Sequence, residues 1–292
     1  MIQPNVNFKF EIALMNPFEA FLIHPILNLL IALYQVLNFL HIPGSLGFAI
    51  ILLTSVIRIA LWPLTTSQLK STQKMAALKP HLSRIKEEHG HDKVRHQQEV
   101  SNLYKQHGVN PVAGCLPLIL QIPIFISLYQ VLFRVVDFGG QDFITRINDQ
   151  LYFPALYLKT MPSTNFLGYS LAAKPSDWAN IGFLILLIPI ITGVLQFIQS
   201  KMLMATSPDQ NQAAAVKAKN KDDKKGDLED AMSSMQSQMS LIMPAMIAFF
   251  SYGFPVGLSL YWNTFTVFGI IQQYLIVGAG SFNKYLPKKW QK

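Results

Sequence analysis

Residues 49–64 read AIILLTSVIRIALWPL, an apolar run with one arginine, Arg58, near its centre. The hydrocarbon core of a bilayer is about 30 Å thick, and a helix rises about 1.5 Å per residue. A helix over Leu46–Leu69 would cross that core and carry Arg58 near mid-depth. A central arginine costs about 2.5–3.5 kcal/mol on insertion scales and about 10–17 kcal/mol in simulations of an isolated helix. Something must offset the cost. Snorkelling is the simplest answer, but the helix continues about a turn and a half before the polar Thr65–Lys70 end. A voltage sensor repeats Arg or Lys every third residue, and Leu61 and Leu64 occupy those positions. The reading favoured is a charge lining a water-filled cavity in a helix bundle. Thr54 and Thr65, one turn before and two turns after, share the arginine's face on a continuous helix.

The rest of the chain has the composition such a bundle needs. Of 292 residues, 51% are hydrophobic and only 14% are charged. Soluble domains carry about 25% charged residues, so the balance points to a polytopic membrane protein. The net charge of +8 does not point to specific nucleic-acid binding, because the basic residues lie between apolar runs. One cysteine, Cys115, allows neither an internal disulfide nor a CxxC site, and it lies too far along the chain for a lipid anchor. No secretory signal is expected, because Lys9 is followed by Glu11 and Glu19 rather than by an apolar core.

Charge sets the orientation. Apolar stretches follow the opening helix at Pro111–Val136, Ile181–Met204, Met239–Phe254 and Gly257–Val277, the last two parted by the turn GFPVG. The 70–109 segment carries eight Lys or Arg residues, from Lys70 to Lys105. The 205–237 segment carries five lysines, from Lys217 to Lys225, and the tail carries Lys284, Lys288, Lys289 and Lys292. The longer 138–178 segment has only Arg146, Lys159 and Lys174. By the positive-inside rule the first three are cytoplasmic and the last is outside. Five crossings with the C-terminus inside satisfy all four regions. The expected division is a 1–45 N-terminal region, then transmembrane helices at 46–69, 110–137 and 179–204 and a final pair within 238–277. Between and after them come a cytoplasmic hairpin (70–109), an extracytoplasmic loop (138–178), a mobile cytoplasmic loop (205–237) and a basic tail (278–292).

Residues 20–42 place His24, Asn28, Gln35 and Asn38 along one helical face. This suits an amphipathic helix in the outer interface, with a sixth span as the alternative. In 70–109, Met75, Leu78, Leu82 and Ile85 recur at helical spacing. A break follows at Gly90–Asp92, and Val100, Leu103 and Tyr104 mark a second helix. The stripe Met232, Met235, Met239, Met243 and Met246 reads first as core packing and second as a surface for varied apolar sequences. His81, His89, His91, His96 and His107 match no zinc spacing and read as solvated helix surface.

Other spans add polar residues: Gln121 and Gln130, Gln196 and Gln199, and Ser259, Trp262, Asn263 and Thr266. None offers a membrane-buried Asp or Glu, since Asp137 falls at a helix end. An arginine without an acidic partner suits a visiting negative charge. A channel would also use such residues, but it requires an opening on the outer face. An intramembrane protease requires paired aspartates or a Ser–His or Ser–Lys pair, and none is apparent. A purely structural subunit has no use for Arg58.

Three segments carry a family resemblance: TSVIRIALWPLT (Thr54–Thr65), NPVAGCLPLILQIPIFISLY (Asn110–Tyr129) and FPVGLSLYW…IIQQYLI (Phe254–Ile276). Over roughly 20–280 the chain resembles the YidC/Oxa/Alb family of membrane protein insertases. The resemblance implies an all-α, five-span bundle with a cytoplasmic helical hairpin and an outer interfacial helix. Its hydrophilic groove is open to cytoplasm and lipid and closed on the outside. It implies Arg58 as the groove arginine, Thr54, Gln121 and Trp262 as groove lining, and Tyr261 and Trp262 as substrate contacts. Gln196, on the third span, joins the groove on a looser match. The implied partners are nascent membrane proteins and lipid, with a Sec-type translocon and the ribosome left open. The expected form is a monomer in the bacterial inner membrane, without cofactor, metal or catalytic residue. Neither the large extracytoplasmic domain of longer members nor a cleavable lipoprotein signal is expected here. No GxxxxGK phosphate loop occurs, so the implied reaction uses no nucleotide.

Overall fold

A computed structural model describes residues 17–109, 116–136, 143–203 and 242–285. It is α-helical, apart from one short β-ribbon. The chain divides into two compact units. One is drawn from Met1–Ile59, Leu118–Ile188 and Ser251–Phe265, the other from Ala60–Pro117, Pro189–Phe250 and Thr266–Lys292. The 205–237 loop, Cys115, Asp137, Met232, Met235 and Met239 lie outside the described residues.

In the first unit a π-helical turn, Glu19–Ile23, leads into α1, His24–Phe39. Ile23, Leu27, Leu30, Ile31, Tyr34 and Leu37 recur every three or four residues and form its buried stripe. The polar face read from the sequence is turned inward at two points. Asn28 Nδ2 donates to the Gln150 carbonyl at 2.9 Å, and the Tyr152 N–H donates to Asn28 Oδ1 at 2.7 Å. Gln35 Nε2 donates to the Leu156 carbonyl at 2.6 Å. These side chains thus satisfy backbone groups of the 143–158 segment. Asn38, with Phe21, Val36, Phe39 and Leu40, stays exposed.

His41, at φ 56°, and Gly44, at φ 74°, turn the chain into α2, Ser45–Ala60. Leu46, Ala49, Ile50, Leu53, Thr54 and Arg58 are buried on one face of α2, while Phe48, Leu52, Val56 and Ile59 are exposed on the other. Burial on one side and apolar exposure on the other are what a helix bordering lipid requires.

The sequence predicts one uninterrupted helix over Leu46–Leu69. The structure corrects this: α2 ends at Ala60, Leu61 breaks the helix, and α3 runs from Trp62 to Ala77. Pro63 is the reason. It has no N–H for the preceding turn, and its ring collides with the carbonyl four residues back, but its fixed φ suits a helix start. Within the second unit Gln272 braces the restart. Its Nε2 donates to the Trp62 carbonyl at 3.0 Å, Thr65 Oγ1 at 2.7 Å and Thr66 Oγ1 at 3.1 Å.

Also in the second unit, α4 (Lys79–His89) and α5 (Lys93–Gln106) form the helical hairpin. Asp92 caps α5 by accepting from the Val94 and Arg95 N–H groups, both at 3.1 Å. His81 stacks on His107 across the hairpin at 6.2 Å.

The remaining long helices are α6 (Leu116–Val136), then, after the short α7 (Phe143–Asn148), α8 (Leu187–Leu203), α9 (Ile242–Gly253) and α10 (Val256–Val277). A Cβ on Gly193 of α8 would stand 2.9 Å from Ala248 Cβ of α9, so glycine permits that close approach. On α9, Met243 is half-buried and Met246 is exposed.

By length and composition, Glu19–Phe39 and Phe183–Leu203 are each able to cross a membrane among the described residues. Ser45–Ala60 and Trp62–Ala77 qualify only as a bent pair. Helix α10 has 22 residues, about 33 Å of rise, but Asn263, Thr264, Thr266, Gln272 and Gln273 dilute its apolar character.

The 143–173 segment packs against the ends of α2 and α10 within the first unit. A two-residue turn, Leu167 at φ 50° and Gly168 at φ 88°, joins β1 (Asn165–Phe166) to β2 (Tyr169–Ser170). The Phe166 ring fills the space that Gly44 and Gly47 leave on α2, edge-on to Phe48 at 5.2 Å. The Ala173 and Leu171 carbonyls accept from the Val256 and Gly257 N–H groups at 2.8 and 2.9 Å, satisfying the otherwise orphaned start of α10.

Two substitutions test this packing. Gly47→Ala places a methyl inside the Phe166 ring, and should cost about 1–3 kcal/mol of thermal stability in lipid nanodiscs. Phe166→Ala in the same chain should recover part of the loss. Gln272→Leu strips the brace at Trp62–Thr66 and should cost about 1–3 kcal/mol in the same assay.

Candidate functional site

Arg58 lies in the last turn of α2 and is only 5% exposed. Its guanidinium lies over the Phe265 ring of α10, with Cζ 3.4 Å from the ring centroid. Its Nε and Nη2 both donate to the Phe265 carbonyl, at 3.1 and 2.6 Å. Among the described residues it meets no carboxylate. The cation is thus held by a neutral oxygen and a quadrupole, which stabilise it without cancelling its charge.

Thr54 lies one turn earlier on the same face and is fully buried. Its hydroxyl donates to the Ile50 carbonyl at 2.7 Å, so its proton is committed to its own helix. On α6, Gln121 Nε2 donates to the Tyr261 hydroxyl oxygen at 2.8 Å. One helical turn further along α6, Phe125 meets Trp262 edge-on at 5.3 Å. The Tyr261 and Phe265 rings approach to 5.9 Å, as side chains at i and i+4 do. Helices α2, α6 and α10 therefore bring Thr54, Arg58, Gln121, Tyr261 and Trp262 into one neighbourhood of the first unit. Gln196 is half-buried on α8 and belongs to the second unit.

Thr65 was expected on the arginine's face. It lies beyond the Leu61 break instead, in α3, where it accepts from Gln272. The continuous-helix geometry that placed Thr54, Arg58 and Thr65 together fails at Pro63.

Two participants escaped the sequence reading. Phe265 is one apolar residue among many in its span, and only its place one turn after Tyr261 hints at a shared face. Gln272 stood in the quoted IIQQYLI motif, but no spacing rule pairs it with a helix start 210 residues away.

Comparison with known proteins bears on the family and the fold. The family model described as "60Kd inner membrane protein" matches residues 38–281. The membrane protein insertase YidC of Pelagibacter ubique is 32% identical over 273 residues, which are 93% of this chain and 41% of that protein. The inner membrane ALBINO3-like protein 1, chloroplastic, of Chlamydomonas reinhardtii is 34% identical over 266 residues, 88% of this chain and 49% of that protein. The chain thus spans less than half the length of each. A crystal structure of an active YidC insertase with its first transmembrane domain resolved matches with a TM-score of 0.53 at 22% identity, over 93% of this chain and 51% of that one. At that identity the likeness concerns the fold.

Proposed function

Because the chain belongs to the 60Kd inner membrane protein family, we propose that it is a membrane protein insertase that delivers substrate helices into lipid and moves their short hydrophilic flanks across. The observation carrying the proposal is Arg58, a buried cation held by neutral partners with no carboxylate beside it among the described residues. Its charge remains available to a substrate.

The mechanism follows from solvation. A hydrophilic flank cannot enter hydrocarbon without losing its hydrogen bonds to water, at several kcal/mol per unsatisfied group. A wet groove reaching mid-depth removes much of that penalty. Arg58 draws acidic residues of the flank inward, with an attraction of about 4 kcal/mol for a pair 4 Å apart at an effective dielectric near 20. Gln121, Tyr261 and Trp262 give the passing chain hydrogen-bonding and aromatic contacts, with Thr54 beside the arginine. Transfer of the apolar span into lipid then drives the reaction, at about 25 cal/mol per Å² of apolar surface. No nucleotide and no bond-making step is involved.

The working arrangement is a monomer with five crossings in a bacterial inner membrane and the C-terminus in the cytoplasm. Nascent membrane proteins and lipid are its partners. In a Cys115→Ser background, a cysteine at Asp92 should react with an impermeant maleimide only from the cytoplasmic side, and one at Lys159 only from outside. The opposite pattern would reject the topology.

The function is tested with purified protein in liposomes and a single-span substrate whose N-terminal flank is acidic or neutral. Wild type should insert both. Arg58→Ala should lower insertion of the acidic substrate about tenfold and spare the neutral one, a difference of about 1.4 kcal/mol. An acidic-to-neutral ratio unchanged by Arg58→Ala would remove Arg58 as a receptor for charge, and insertion of neither by wild type would end the insertase reading.

A further inference from the structure

We infer that Phe265 is the positioning residue of the substrate site: it fixes Arg58 by one face and one edge, and so aims the guanidinium's remaining donors at the acidic flank of a passing substrate. This rests on the insertase reading above and deepens it.

The argument begins with the shape of a guanidinium. It is planar, with two faces and an in-plane rim of five N–H donors. Phe265 takes one face with its ring, 3.4 Å from Cζ to centroid. The same residue takes the Nε–Nη2 edge with its carbonyl, at 3.1 and 2.6 Å. A single residue therefore fixes both the plane of the group and its rotation within that plane. Among the described residues no acceptor meets Nη1. The Nη1–Nη2 end of the fork is the edge left, and it fits a carboxylate with two parallel hydrogen bonds.

Position matters because of where the site lies. Arg58 has a long side chain with about 2 kcal/mol of rotamer entropy to lose. In the last turn before a helix break, and able to swing about several torsions, a free arginine would turn toward whatever water or backbone oxygen lay nearest. Phe265 supplies that restraint in advance, so a substrate carboxylate need not supply it on arrival. A carboxylate in place of Phe265 would restrain the guanidinium equally well, but it would neutralise the charge the substrate is meant to meet. An aromatic face plus a backbone oxygen avoids this. Tyr261, one turn earlier, is engaged by a different helix, its hydroxyl accepting from Gln121 at 2.8 Å.

The carbonyl half of the restraint survives any side-chain change, so substitution at 265 isolates the ring. The measured quantity is the ratio of acidic-flank to neutral-flank insertion in the liposome assay. A merely structural role lowers both rates and leaves the ratio unmoved. Phe265→Leu should lower the ratio at least about fivefold, since the contact is buried and exceeds an exposed cation–π contact, while Phe265→Tyr and Phe265→Trp should hold it near wild type. To guard against loss of folding, mono-, di- and trifluorophenylalanine at 265 weaken the ring's negative face at almost constant volume. The ratio should fall stepwise along that series while thermal stability stays level. A ratio unchanged by fluorination, or one that rises, would overturn the assignment and leave the insertase reading standing. An acidic-to-neutral ratio that Arg58→Ala leaves at its wild-type value would overturn this assignment together with the charge-receptor role of Arg58. Insertion of neither substrate would end the function itself.

Discussion

A single positive charge held inside an apolar bundle is the constraint around which the first unit is arranged. Burying Arg58 carries a desolvation cost of several kcal/mol, and the protein meets it without an acid. Phe265 provides a ring for the cation's face and a carbonyl for its edge. That solution requires α10 to approach α2 closely at this depth. Other contacts then keep α10 at its station: Tyr261 with Gln121, Trp262 with Phe125, and the Ser251–Ser259 hydroxyl pair at 3.1 Å. The site is thus a consequence of three helices meeting at one buried cation.

The 143–173 segment does comparable work at the start of α10. A helix entering a membrane must satisfy its first N–H groups, and here the Ala173 and Leu171 carbonyls accept two of them. Phe166 reaches back to α2, where Gly44 and Gly47 leave room for its ring. Asn28 and Gln35 tie the same segment to α1 through its backbone. Arg134 adds an ion pair with Glu19 at 3.2 Å and a hydrogen bond to Gln150 at 2.6 Å. A region that reads as a loop of mixed composition is therefore hydrogen-bonded to α1, α6 and α10 and packed against α2.

The helix break at Leu61 serves a different end. Pro63 prevents the apolar run from continuing as one rod, and Gln272 receives the restart by bonding Trp62, Thr65 and Thr66. Beyond the break the composition becomes amphipathic and basic, and the chain passes through α3 into the hairpin of α4 and α5. A polar glutamine deep in a long apolar helix is costly by itself, but beside a helix start it finds acceptors that would otherwise stand unpaired.

From residues alone, the class of protein, its apolar segments, the hairpin, and Arg58 with most of its neighbours were legible. Hydrophobic period and charge asymmetry are local properties that survive without a fold. Arg58 was conspicuous because a charge in AIILLTSVIRIALWPL has no ordinary explanation, and Thr54 followed from helical spacing. The break at Leu61 was visible in principle, since Pro63 stands in the quoted stretch, but a proline four or more residues past the apolar centre reads equally well as a kink within a span. What only the tertiary structure decided is which partners the polar groups choose. Phe265 became the partner of Arg58 although 207 residues separate them, and Asn28 turned from an interfacial face to the backbone of Gln150 and Tyr152. Burial makes an unsatisfied polar group expensive, so each one pairs with whatever the packed helices bring within about 3 Å. That choice depends on distances that exist only after the chain has folded.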